Sequence, residues 1–206
     1  VFREPSPETR DYINLMEEGK YYDAPSREGK KVGAYCTGIP THKAPFVFLN
    51  YAGSAADVTT TFHEFGHALH GMLTQTHYPS VSGTNVKHDF VELFSQINEK
   101  WSVHPEVLPT YAKHYVTGEA IPDSLIEKMQ RSSHFNSGFE TTELVAAALL
   151  DMKMHLIDDY SNFDCNEYEK QLRKELGFIP EIEYRYRSTN FAHVFGGGYA
   201  VGYYAY

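Results

Sequence analysis

One short segment constrains this chain more than any other: Thr61-Phe62-His63-Glu64-Phe65-Gly66-His67, which contains the pattern His-Glu-x-x-His. Around it, Val58, Phe62, Phe65, Leu69 and Met72 recur at three- and four-residue steps, the period of an amphipathic helix. Asp57 is the expected N-cap of that helix. Residues four apart on a helix share a face, so His63 and His67 can turn their imidazole nitrogens toward one metal ion. Glu64 lies beside them, where a carboxylate can take a proton from an activated water. Two imidazoles and an expected carboxylate favour zinc as that ion.

A catalytic zinc site needs a third protein ligand and one open position. The metzincin extension puts Gly three residues after the second His and a third His six after it. Here those positions hold His70 and Leu73, which excludes that reading. His70 lies seven residues beyond His63, about 10 Å along the helix axis, too far to share an ion with it. It is expected near the site or at the surface. The remaining candidates are carboxylates on a second predicted helix. There Glu92, Gln96 and Glu99 form a polar stripe opposite Phe90, Phe94, Ile97 and Trp101. Periodicity does not separate Glu92 from Glu99, and a solvated polar face is the plain alternative. The carboxylate that is not a ligand can orient a ligand His through its other ring nitrogen.

The rest of the chain reads as short elements without an internal repeat or a linker, so residues 1–206 are taken as a single catalytic region. Residues 1–31 are polar with one apolar patch at Tyr12, Ile13, Leu15 and Met16. Two β-like runs follow, 32–36 and 45–51, on either side of a turn holding Gly38, Pro40 and Lys43. A loop at 80–85 follows the metal-binding helix. Further helices are expected near 109–117, 122–132, 141–160 and 166–176, the last ended by Gly177. Residues 184–206 are rich in Arg, Gly and Tyr and have no period, a habit of functional segments. Gly196-Gly197-Gly198 lacks the preceding strand and the spacing of a nucleotide loop, which leaves a mobile loop as its expected use. His193, Tyr199, Tyr203, Tyr204 and Tyr206 are either donors to an oxyanion or aromatic packing. Arg185 and Arg187 are candidates for holding a substrate carboxylate.

Composition narrows the partners. A formal net charge of −9 argues against a phosphate-binding surface, so no nucleic acid is expected. No run of eighteen apolar residues exists, so no membrane span is expected. Two cysteines make no disulfide framework, which fits a reducing, cytoplasmic setting. The chain starts at Val1 and stops within Tyr203-Tyr204-Ala205-Tyr206, an apolar run that makes a poor terminus, so it is read as a piece of a longer protein.

At this point a resemblance enters. Phe62-His63-Glu64-Phe65-Gly66-His67-Ala68-Leu69-His70-Gly71, Ser82-Gly83-Thr84-Asn85, Asp89-Phe90-Val91-Glu92 and Ser95-Gln96-Ile97-Asn98-Glu99 resemble the thimet oligopeptidase family of zinc metallopeptidases. Phe191-Ala192-His193-Val194-Phe195-Gly196-Gly197-Gly198-Tyr199, continuing to Tyr206, is similar to its peptidyl-dipeptidase branch. Gly33-Ala34-Tyr35-Cys36-Thr37 and Lys43-Ala44-Pro45-Phe46 look more like the oligoendopeptidase F branch.

The resemblance implies that His63, His67 and Glu92 bind one Zn2+ per chain, with Glu64 as general base. It implies that Tyr199 and Tyr206 hydrogen-bond the scissile carbonyl or neighbouring substrate and that His193 contacts substrate main chain. The implied fold is mainly α. It is a zincin-type catalytic region with a short β-sheet edge before the metal-binding helix, a fragment of a larger two-lobed helical peptidase. The run 46–51 is implied to border the cleft, where an extended peptide adds as an extra strand, and the glycine loop to be a mobile cleft wall. The implied activity is zinc-dependent hydrolysis of short oligopeptides, releasing dipeptides from the C-terminus, by a protein that is monomeric at full length. The rival readings are an oligoendopeptidase cutting internal bonds and a metal- or peptide-binding fragment without turnover.

Overall fold

The computed structural model describes residues 7–39, 42 and 44–206; Pro40 and Lys43 of the expected turn lie outside the described residues. The chain divides into two compact units, Val1–Glu127 and Lys128–Tyr206.

In the first unit a helix, α1 (Pro7–Gly19), leads into a three-stranded sheet of β1 (Tyr22–Pro25), β2 (Tyr35–Thr37) and β3 (Phe46–Tyr51). Neither α1 nor β1 was expected from the polar sequence. The inward face of α1 is small, with Ile13 and Met16 buried and its other turns largely exposed, so its apolar period is too brief to read. β1 is held by Lys30, whose buried ammonium donates to Asp23 O, Pro25 O and Leu49 O. β2 begins later than the run 32–36, because Gly33 takes φ +87° and Val32 projects into solvent.

The strand order is β1-β3-β2, with β3 parallel to β1 and antiparallel to β2. Val47 pairs with both Tyr22 and Cys36, and Phe48 with both Asp23 and Tyr35. β3 is therefore the middle strand, not the free edge on which a peptide was expected to add. Both of its hydrogen-bonding sides are used at these residues, and the outer positions belong to β1 and β2.

The predicted metal-binding helix is α2 (Ala55–Met72). Its N-cap is Ser54 rather than Asp57. The Ser54 hydroxyl accepts from Asp57 N at 3.1 Å, and Asp57 Oδ2 accepts from Ser54 N at 2.8 Å. This reciprocal box satisfies two amides at once, which a lone Asp57 cap does not. Ala68 and Met72 pack with Ile13, Met16, Ala44, Val47 and Leu49, so α2 rests on the sheet and α1.

Its other neighbour is α3 (His88–Ser102). There the apolar stripe is not the buried face. Val91, Glu92, Ser95 and Ser102 are buried, while Phe90, Leu93, Ile97 and Trp101 are about half exposed. The cause is a close approach of two helix backbones: a Cβ on Gly66 of α2 would lie 2.6 Å from Phe94 O and from Ser95 Cα. At that spacing only small side chains fit between the helices, and the wholly buried Ser95 occupies the place an apolar residue would otherwise take. Two shorter helices follow, α4 (Leu108–Tyr111) and α5 (Asp123–Ser132), the first much shorter than the expected 109–117.

The second unit is built on α6 (Ser137–Met154) and α7 (Cys165–Glu175), then an irregular segment with one short helix, α8 (Ala192–Phe195). Asp164 caps α7 by accepting from Asn166 N and Glu167 N, and Gly177 at φ +69° follows its end as expected. Ala146, Ala147, Leu150 and Met154 of α6 form the core with Leu172, Tyr184, Phe191, Val194 and Tyr203. The irregular segment thus contributes four of the aromatic and aliphatic residues that close this core. Among the described residues no helix is long and apolar enough to cross a membrane.

Candidate metal centre

α2 and α3 place three side chains around one point. His63 Nε2 lies 3.3 Å and His67 Nε2 3.4 Å from Glu92 Oε2, and the two imidazole rings stand nearly perpendicular with centroids 4.9 Å apart. Donors about 2.0–2.1 Å from a tetrahedral zinc ion lie about 3.3–3.4 Å from one another, the spacing of Glu92 from each histidine, and all three donor atoms lie within 4.8 Å of one another. Among the described residues His63, His67 and Glu92 form the one group of metal-ligating side chains with this convergence. The donor chemistry, two imidazoles and a carboxylate, suits zinc.

The competing carboxylate has a different role. Glu99 Oε1 accepts from His63 Nδ1 at 2.6 Å, which turns Nε2 toward the point where the three donor atoms meet. Burial opposes a charge on His63, but the Glu99 hydrogen bond and the charges of Glu64, Glu92 and Glu99 hold its pKa above the ordinary imidazole value. Glu92 is itself fixed by Ser95, whose hydroxyl donates to Oε2 at 2.7 Å and to the Glu92 carbonyl at 3.0 Å. The nearness of Glu92 and Glu99 to one another along α3 is why spacing alone left both open. Two turns of helix separate the residue that reaches the point from the one that reaches the back of His63.

Glu64 is 5% exposed, and its Oε2 is buried with no hydrogen-bond partner among the described residues. Burial pushes its carboxyl up to about 6, a rise added to by Glu92 and opposed by His63 and His67. A buried carboxylate oxygen without a partner, beside three groups that can hold a metal ion, departs from the ordinary pairing of buried polar atoms. His67 Nδ1 is likewise buried without a partner. His70 is no ligand: its ring packs on Phe94 at 4.2 Å and faces Phe90, and burial lowers its pKa.

The second unit gathers the other predicted residues around Tyr203. The His193 ring lies 5.7 Å from Tyr203, 6.3 Å from Tyr199 and 6.4 Å from Tyr206, and Tyr206 stacks on Tyr203 at 5.5 Å. Arg185 sits 5.7 Å over the Tyr206 ring. Arg187 is committed elsewhere, to Glu169 and Asn166. The glycine triplet has steric reasons of its own. A Cβ at Gly197 would meet His193 O at 2.9 Å, and Gly198 takes φ +84°.

Three important residues escaped the sequence reading. Gly66 carried a signal, since a glycine inside a strongly patterned helix points to a close backbone approach. Asp151 also carried one, an acid directly after the apolar run 145–150 and before Met152. Ser95 carried none.

The profile of Peptidase family M3 matches residues 11–206. The dipeptidyl carboxypeptidase of Escherichia coli (strain K12) is 45% identical over 204 residues, covering 90% of this chain and 30% of that protein. Oligopeptidase A of Salmonella typhimurium (strain LT2) is 32% identical over 220 residues, covering 97% of this chain and 32% of that protein. A solved structure of PZ peptidase A with an inhibitor superposes with a TM-score of 0.60 at 24% identity, over 100% of this chain and 35% of that one. The chain therefore spans about a third of the length of these relatives. With the profile match running over nearly all of the sequence, and His63, His67 and Glu92 converging as a candidate metal site, the chain belongs to peptidase family M3.

Proposed function

We propose that this chain carries the catalytic centre of a zinc-dependent peptidase acting on short peptides and releasing dipeptides from their C-termini. The observation that carries the reading is the convergence of His63, His67 and Glu92, with the buried, unpartnered Glu64 oxygen beside them. A divalent cation held by the three ligands supplies Lewis acidity toward a carbonyl oxygen and makes water a stronger acid. Glu64 takes the proton of the attacking water and returns it to the nitrogen as the C–N bond breaks. Glu99 keeps His63 in the tautomer that presents Nε2. Tyr199 and Tyr206 are assigned the substrate carbonyl and His193 the substrate main chain, on the likeness of residues 191–199 and 203–206 to the peptidyl-dipeptidase branch. The two free cysteines support a reducing, cytoplasmic setting.

Similarity to a dipeptidyl carboxypeptidase favours dipeptide release, whereas similarity to oligopeptidase A favours internal cleavage. Short peptides with free and amidated C-termini separate the two. Dipeptide products seen only with the free carboxylate support the first reading, and equal cleavage of both substrates supports the second. Glu64→Ala is expected to retain zinc and lose turnover. Near-full activity in that variant refutes the mechanism.

A further inference from the structure

α6 carries a carboxylate that the metal centre does not use. Asp151 is 1% exposed and lies on the buried face of the helix, beside Leu150 and Met154. A charge in such a place persists only when its oxygens are answered by donors. Both are. Oδ1 accepts from Val201 N and Oδ2 from Tyr203 N, each at 3.0 Å. Val201 is β-branched yet takes φ +57°, a conformation such residues hold only when their surroundings impose it. The two amides gripped by Asp151 flank Gly202, and the wholly buried Tyr203 ring is the surface on which Tyr206 stacks.

One turn further along α6, His155 Nδ1 lies 3.0 Å from Asp151 Oδ1, and its ring stacks on Phe195 at 5.6 Å. Phe195 immediately precedes the glycine triplet. The segment bearing Tyr199 is thus pinned before its glycines by His155 and after them by Asp151, both from one turn of one helix.

We propose that Asp151 is a positioning residue: by holding the amides of Val201 and Tyr203 it sets the turn from which Tyr199 and Tyr206 meet a peptide substrate. The proposal rests on the substrate role given above to these tyrosines. Asp151→Asn keeps the size of the side chain but turns an amide NH2 toward one backbone N–H, so one of the two bonds is lost.

Amide hydrogen exchange and steady-state kinetics on a short peptide test it together, with Asp151→Asn, Tyr206→Phe and the double variant. In Asp151→Asn, exchange at Val201 and Tyr203 is expected to quicken at least tenfold while amides within α7 stay as they were. Turnover number should fall roughly ten- to a hundredfold with little change in KM. The double variant should be no slower than the slower single variant, because one residue acts through the other. Val201→Gly relieves the backbone strain, so adding it to Asp151→Asn should recover part of the lost turnover, an effect that general destabilisation does not predict. An Asp151→Asn turnover equal to that of the unsubstituted chain, or losses that multiply in the double variant, overturns the proposal. Unchanged turnover in Tyr206→Phe is a different failure, because it defeats the substrate role of the tyrosine while the quickened exchange still reports the anchor.

Discussion

Gly66→Ala is the substitution that bears most directly on how the metal centre is assembled. The added methyl would lie 2.6 Å from Phe94 O and from Ser95 Cα, about 0.8 Å inside ordinary contact, and both atoms are backbone of α3 and cannot swing aside. The helices must open by about that amount, stretching the 3.3 and 3.4 Å gaps between Glu92 and the two histidines to about 4 Å, beyond the spacing of tetrahedral ligands. Overpacking of this kind costs about 1–3 kcal/mol, and the better helix propensity of Ala returns about 1 kcal/mol. A metal-free chain relaxes by opening, so its melting temperature should move little. A loaded chain has to close again against the methyl, and the strain is taken from the binding energy, a loss of roughly 5- to 150-fold in zinc affinity. Competition against a chromogenic chelator measures that loss, and thermal unfolding of the chelator-treated protein measures the other term. Zinc affinity equal to that of the unsubstituted chain, together with a more stable apoprotein, would refute the claim that this glycine sets the helix spacing.

Glu99→Ala removes the acceptor on His63 Nδ1 and is expected to weaken zinc binding roughly 10- to 100-fold, with Glu99→Gln retaining part of the affinity; the same competition titration decides it. In the chelated protein the Glu64 carboxyl is raised from 4.5 to about 6 by burial, so its contribution to stability is fully present below pH 4.5 and is lost as pH rises through about 6. Glu64→Gln should therefore become the more stable of the two by about 2 kcal/mol at neutral pH, with a smaller difference at pH 4, in urea unfolding followed at both values. Burial and the nearby Glu64 push the Cys36 thiol up to about 12, so alkylation at pH 8 should modify Cys165 well before Cys36, as peptide mapping can read. Equal rates would remove that environment from Cys36.

The helices that carry the chemistry were legible because each is long enough to show its period. α2 displayed both the apolar steps and the His-Glu-x-x-His face, and its N-cap was missed by three residues because Asp57 and Ser54 form one reciprocal box. α3 was legible as a helix but not in its orientation. Its period shows two faces without saying which is buried, and the close contact at Gly66, which admits small or ligating side chains, turns Glu92 and Ser95 inward and leaves Phe90, Ile97 and Trp101 about half exposed. The middle position of β3 was hidden for another reason. Its partner β1 comes from a polar stretch whose buried lysine binds carbonyls, a contact no pattern of apolar residues reports. The C-terminal segment has no period at all, since its amides are satisfied by carboxylates from distant helices, Asp151 for Val201 and Tyr203 and Glu169 for Ser188.

Counting charges around the two imidazoles gives a last consequence. Bound as neutral rings, both histidines would leave the charge to the two carboxylates enclosed with them, Glu64 and Glu92, which are 5% and 4% exposed and carry two negative charges when ionised, while Glu99 stands outside on His63 Nδ1. An ion of valence two brings that enclosure to neutrality. A univalent ion leaves one anion stranded away from water, and a trivalent one leaves an excess of the opposite sign. Without any ion the balance is partly restored by protons on Glu64 and His63, both held above their ordinary values, so uptake of the metal from mildly acidic solution must expel them. With Glu99 outside it, this inner enclosure favours a divalent ion on charge alone.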